Sequence, residues 1–223
     1  MRSSAAACLL LLLPALAPAA DAPVARGDPA RLERIRAAKM PAVAKPVQFD
    51  TPEADAICSA LEVFPADNPW NLLVEDWPVA RNSREMIALI GAAKPLRGND
   101  DMGFVLVPPD QKRVDVKLTA YKGESDPGPY PVPETAVVEG WPSNFKRDPK
   151  LKDLTLDDAQ RGRPSLDADR HGIVVDPVNR KLYEFYRLTR TDAGWQAEQA
   201  SVFDLSSNRL RPDGWTSSDA AGL

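Results

Sequence analysis

Three apolar runs near the end of the chain constrain its fold more than any other feature. Gly172-Ile173-Val174-Val175, Lys181 to Leu188, and Trp195 to Leu205 are rich in β-branched and aromatic residues, which suit a pleated, half-buried surface. Turn formers separate them: Asp176-Pro177-Val178-Asn179-Arg180, where Pro177 presets φ, and Asp192-Ala193-Gly194. Short connections of this kind join neighbouring strands, so the runs predict an antiparallel meander. Phe104 to Val107 and Val114 to Leu118 are further short strands bounded by turn formers, and Ser125 to Pro133 is a long proline-rich loop. The expected class is mainly β, an antiparallel β-sandwich or jelly roll with one or two short helices.

Helical signals are few. Asn82-Ser83 offers an N-cap, and Met86, Ile87 and Ile90 form a stripe that ends at Gly91. Asp28-Pro29 starts a second candidate, with Leu32, Ile35 and Met40 on one face up to Pro41. Upstream, Arg2 followed by the apolar core Ala5 to Leu13, the breaker Pro14 and the small residues Ala17-Pro18-Ala19-Ala20 reads as a signal peptide over 1–20. The apolar core is too short to span a bilayer, which takes roughly 20 residues. Residues 21–50 then read as a flexible alanine- and proline-rich leader with room for one short helix. Residues 51–223 read as a single β-rich domain. Trp215 to Leu223 has the character of a loop heading into another element, so that domain is expected to be incomplete at its C-terminus.

Cys8 leaves with the signal segment, and Cys58 is then the only thiol, so the mature chain is expected to have no internal disulfide. The apolar surroundings of Cys58 predict a half-buried small residue with a raised pKa. The 28 lysines and arginines face 32 aspartates and glutamates, a net charge of -4. An acidic balance argues against nucleic acid, which recruits basic faces. It argues equally against anionic lipid, and no membrane insertion is expected after signal cleavage.

His171 is the only histidine, and histidine is the side chain that ordinarily titrates near neutrality. One histidine and one isolated cysteine cannot furnish the ligands of a catalytic zinc, so no metal or other cofactor is expected. Asp67, Asn68, Asn99, Asp100 and Asp101 carry oxygens without EF-hand spacing and read as polar turns. A Ser-His-Asp triad lacks a serine elbow, with only Ser165 and Ser217 available. Sugar chemistry suits the residue types better. Asp169, Asp176, Glu184, Asp204, Asp213 and Asp219 are candidates for a carboxylate pair. A lyase instead needs a base, a proton donor and a cation, for which His171, Tyr183 and Arg170 are the right types, with Asp169 orienting the ring. Asp213, Trp215, Asp219 and Tyr130 form the candidate substrate-binding set, and Trp141 and Trp195 are further aromatic planes for stacking. Each has a plainer reading: His171 fixing a loop, Tyr183 and Glu184 packed in a strand, and the aromatics anchoring the core. Asp67 to Asn71 likewise reads as a polar turn pinned by a buried Trp70 indole.

Several runs resemble an uncharacterised family of secreted bacterial proteins. They are Phe64-Pro65-Ala66-Asp67-Asn68-Pro69-Trp70-Asn71, Ser125 to Pro131, Asp169-Arg170-His171, Leu182-Tyr183-Glu184, Leu210 to Ser217, and Asp219 to Leu223. The resemblance implies export and lends no activity. The expected function is recognition, with cleavage as an open extension, of an extracellular or cell-envelope polysaccharide by a secreted or periplasmic protein. If it is an enzyme, it is of the glycoside hydrolase or polysaccharide lyase kind. The alternative is a non-catalytic, envelope-associated structural or interaction domain.

Overall fold

The late runs form strands where their composition predicts them. β4 (Gly172–Asp176) pairs antiparallel with β5 (Lys181–Tyr186), and β5 pairs antiparallel with β8 (Gln199–Asp204). The β4–β5 turn is fixed by Asp176, whose carboxylate accepts from the Asn179 backbone N–H at 2.9 Å and from its side-chain amide at 2.7 Å. The computed structural model describes residues 27–96, 98, 101–163 and 169–218. The expected signal segment 1–20, leader residues 21–26, and Asn99, Asp100, Ser165 and Asp219 lie outside the described residues.

The third apolar run divides. Arg187 sits at φ 55°, a left-handed conformation costly for a residue with a Cβ, and it turns the chain out of the sheet after Tyr186. The residues that follow make a separate hairpin, β6 (Thr189–Thr191) and β7 (Gly194–Ala197), before the chain re-enters the first sheet as β8. Two mixed sheets result. The larger has the order β1 (Val47–Gln48), β2 (Phe104–Leu106), β4, β5, β8, and its β2–β4 pair is parallel. The smaller has the order β3 (Val116–Leu118), β7, β6, and its β3–β7 pair is parallel.

The expected mainly β sandwich is therefore not what forms. Five α-helices share the described residues with these eight strands: α1 (Pro29–Ala37), α2 (Pro52–Ala60), α3 (Ser83–Ile90), α4 (Ser143–Arg147) and α5 (Leu156–Gln160). Strands of three or four residues in the smaller sheet are too short to bury a sandwich core by themselves. The larger sheet instead buries each face against a different mixture of elements. Alternation separates the faces: Val105, Val174, Tyr183 and Phe185 meet Trp195 and Ala197 of the smaller sheet, with Phe145 of α4 and Ala159 of α5. Leu106, Val175, Leu182 and Phe203 meet Ile57 of α2 and the leader valines Val43 and Val47. Burying a side chain such as Phe185 or Leu106 contributes about 1.5–3 kcal/mol.

The leader is thus part of the core over its last residues rather than a free tether, because Val47 completes the edge of the sheet and Val43 the layer beneath it. α1 forms on the Asp28 cap, whose carboxylate accepts from the backbone of Ala30 and Arg31. α2 starts on the same pattern, Thr51 capping and Pro52 in the first turn. α5 carries a full capping box between Thr155 and Asp158. α3 occupies the predicted span and stops at Gly91, yet among the described residues no layer covers its apolar stripe: Met86, Ile87 and Ile90 are exposed, and Leu89 is 89% exposed. Among the described residues no helix is long and apolar enough to cross a membrane.

Candidate functional site

The sheet face that carries Leu182 becomes polar toward the His171 end. Glu184 follows Leu182 on that face of β5 and is buried. His171 enters β4 just outside its first residue, and its neighbour Arg170 sits at φ 53°, which turns the two side chains apart. The Arg170 guanidinium lies in the core, where its Nη2 donates to the carbonyls of Ala159 at 2.9 Å, Gln160 at 3.0 Å and Leu188 at 3.1 Å. It caps the end of α5. Burial pushes its pKa down from the usual arginine value, as does the Arg187 charge.

The imidazole points the other way. Nδ1 lies 2.9 Å from Oε2 of Glu139, and Nε2 lies 2.8 Å from the backbone oxygen of Ser218. The side chain is 13% exposed. Burial alone works against the cation, but the Ser218 carbonyl and the Glu139 carboxylate, with Asp169 beyond them, hold its pKa above the ordinary histidine value. Ser218 is bound twice, since its hydroxyl donates to Oε2 of Glu184 at 2.8 Å. The expected orienter, Asp169, is not on the ring. It is exposed and accepts from the Tyr186 hydroxyl at 3.2 Å, and Glu139 holds the ring instead.

The remaining predicted residues are dispersed. Tyr183 is buried on the opposite face of β5, with its hydroxyl accepting from Arg113 at 3.0 Å. Tyr130 is buried edge-on against Phe185, donates to the Asp126 carbonyl, and has its pKa pushed up to about 12 by burial and by the Asp126 charge. Trp195 is core, and Trp141 stands beside Phe145 and Lys146. Asp176 is consumed by the β4–β5 turn. Cys58 is exposed on α2 rather than half-buried, and partial desolvation and Asp55 raise its pKa. No lyase triad of His171, Tyr183 and Arg170 is assembled, because the three side chains point to three different environments.

Several predicted residues line cavities: Asn68, Asp204, Trp215 and Ser217 one groove, and Arg170 a smaller cavity of about 300 Å³. Trp215 lines a groove of about 690 Å³ beside the edge strand β8, together with Asn68, Trp70, Lys181, Asp204 and Arg211. Asp213 is exposed in the turn two residues before Trp215. Trp70 is 69% exposed, so the indole does not pin its turn as expected. Two buried amides do that. The Asn71 amide donates to the carbonyls of Val63, Phe64 and Pro65, and the Asn68 amide donates to Asn208 across the groove floor at 3.0 Å. Trp215 packs on the Arg211 guanidinium, 5.3 Å from ring centre to Cζ.

Two of the groove's cations are paired in place, Lys181 with Asp204 at 2.8 Å and Arg211 with Asp126 at 3.1 Å, and Arg209, exposed on the same lining, forms no ion pair among the described residues. The Lys181 contact and the Ser206 hydroxyl and N–H hold Asp204 well below the usual carboxylate range. A general acid needs the opposite shift. Sequence reasoning missed Glu139, Ser218 and Trp70. Glu139 lies 32 residues from His171 and carries no local signal; the Trp70 position was visible and was assigned the wrong side of the surface. No family model, curated protein or solved structure matches this chain.

Proposed function

We propose that this is an exported, non-catalytic polysaccharide-binding protein, secreted or periplasmic, and that the groove beside β8 is its glycan site. The observation that carries this reading is the pair of indoles, Trp70 and Trp215, standing in one open groove with amides and internally paired charges. Sugar rings present C–H faces that pack on aromatic planes and hydroxyls that exchange hydrogen bonds with amides and ion pairs. With Lys181 and Arg211 paired, Arg209 is the cation left to a ligand in this lining, which suits a neutral or weakly acidic polymer. Cleavage is not part of the proposal, because His171 has both nitrogens engaged and Asp204 is held ionised.

A glycan array probed with the purified protein, followed by calorimetry on the hits, tests it. Trp70→Ala and Trp215→Ala should each weaken binding about tenfold, the scale of one lost aromatic packing contact. A second reading, an envelope-associated interaction domain, is favoured by the uncovered apolar residues of α3. It gains if no glycan binds while Leu89→Glu abolishes association with envelope fractions.

A further inference from the structure

The joint between His171 and Ser218 is one hydrogen short unless the imidazole is charged. Nδ1 faces the Glu139 carboxylate at 2.9 Å and Nε2 faces the Ser218 carbonyl at 2.8 Å. A carbonyl oxygen and an ionised carboxylate only accept. Two acceptors therefore demand two ring hydrogens, and a neutral imidazole has one. Whichever tautomer it chose, a nitrogen lone pair would face an oxygen lone pair in a site largely closed to water.

Ser218 lies on a strap, residues 211–218, that forms one wall of the groove through Arg211, Trp215, Thr216 and Ser217. Arg211 and Thr216 fix this strap firmly. Arg211 donates to the Asp126 carboxylate at 3.2 Å through Nε, to the Glu124 carbonyl at 2.8 Å through Nη2, and to the Thr216 carbonyl. The Thr216 N–H donates to the Glu124 carboxylate at 3.0 Å.

We propose that the His171–Glu139 pair is a pH-operated latch on Ser218: the imidazolium holds the Ser218 carbonyl, and loss of its proton to solvent releases that carbonyl, leaving Ser218 tied through its hydroxyl to Glu184. The groups around the ring are mostly acidic. Glu139 comes from the loop after Val138, and Asp169 lies two residues upstream. On β5, Tyr186 places its ring 5.7 Å away, and Glu184 is reached through the Ser218 hydroxyl. The nearby cation Arg187 is engaged by Glu198 at 3.3 Å, and Arg170 is turned into the core. His171 is the single group here whose ordinary titration falls near neutral pH. The ring's raised pKa has the sign this surrounding requires.

The latch does not depend on what fills the groove, so its test uses the protein alone. In isotope-labelled, untagged full chain, the lone histidine gives an unambiguous NMR titration between about pH 5 and 9. Its midpoint should lie above about 6.5. Thr216, tied to Glu124 and Arg211, should stay put, whereas the amides of Ser217 and Ser218 should shift with that midpoint. Their hydrogen exchange, corrected for intrinsic chemistry, should rise about tenfold across it, the worth of one charge-assisted bond. His171→Gln should flatten the amide response, and Glu139→Gln should lower the midpoint. The second variant keeps the test intact if the first fails to fold. Ser217 and Ser218 amides unmoved through the titration, a midpoint at or below 6.5, or a midpoint indifferent to Glu139→Gln would overturn the proposal. A failed glycan screen leaves the latch standing, and a rigid strap leaves the groove's binding role standing.

Discussion

At the residue scale, Arg170 and His171 are adjacent in sequence and opposite in role. Arg170 serves three carbonyls at the junction of α5 and β5–β6. Arg170→Met should leave those acceptors buried without donors and cost about 3 kcal/mol, measured by urea denaturation. His171 governs pH dependence. Its folded pKa is raised, so the folded state binds the proton more tightly than the unfolded chain. The stabilisation is then fully present below about pH 6.5 and is lost as pH rises through the higher folded value. Denaturation of the wild type should show stability declining across that window, whereas His171→Gln should remove the decline. Sequence reading found Asp169-Arg170-His171 because one histidine among charges is conspicuous. It could not assign roles, since the deciding facts are the left-handed Arg170 backbone and a glutamate 32 residues away.

At the scale of elements, β-branched and aromatic composition located β4 and β5 but ran β7 and β8 together as one strand, because buried strands leave a trace in residue type and a change of sheet does not. What it could not show was the left-handed turn at Arg187, which sends β6 and β7 into a second sheet. Parallel pairing of β2 with β4 was equally hidden, since register between distant strands is set by tertiary contact. Signals for two missed helices were present. Thr51-Pro52 repeats the Asp28-Pro29 start, and Thr155 with Asp158 forms a capping box. Five-residue α5 is too short for periodicity to report it. Two substitutions separate buried from exposed elements. A Cβ at Gly172 would stand 2.4 Å from Leu188 Cδ2, so Gly172→Ala should destabilise by about 1–3 kcal/mol through overpacking. Leu89→Glu on the uncovered face of α3 should change thermal stability by no more than about 0.5 kcal/mol.

Across the whole molecule, one segment joins the two places where chemistry gathers. The strap from Arg211 to Ser218 walls the groove with Trp215 and reaches His171, so the proposed binding surface and a titrating group share a single short piece of backbone. Export and glycan recognition are proposed on the signal-like start of the sequence, the paired indoles and the two ion pairs of the groove together. The most direct measurement is glycan binding by the wild type and by the Trp70→Ala, Trp215→Ala double variant, read alongside release of reducing ends. The account predicts binding that the double variant reduces at least about tenfold, with no reducing ends released by either protein. Binding undiminished in the double variant, no binding to any polymer tested, or reducing ends released by the wild type would contradict it.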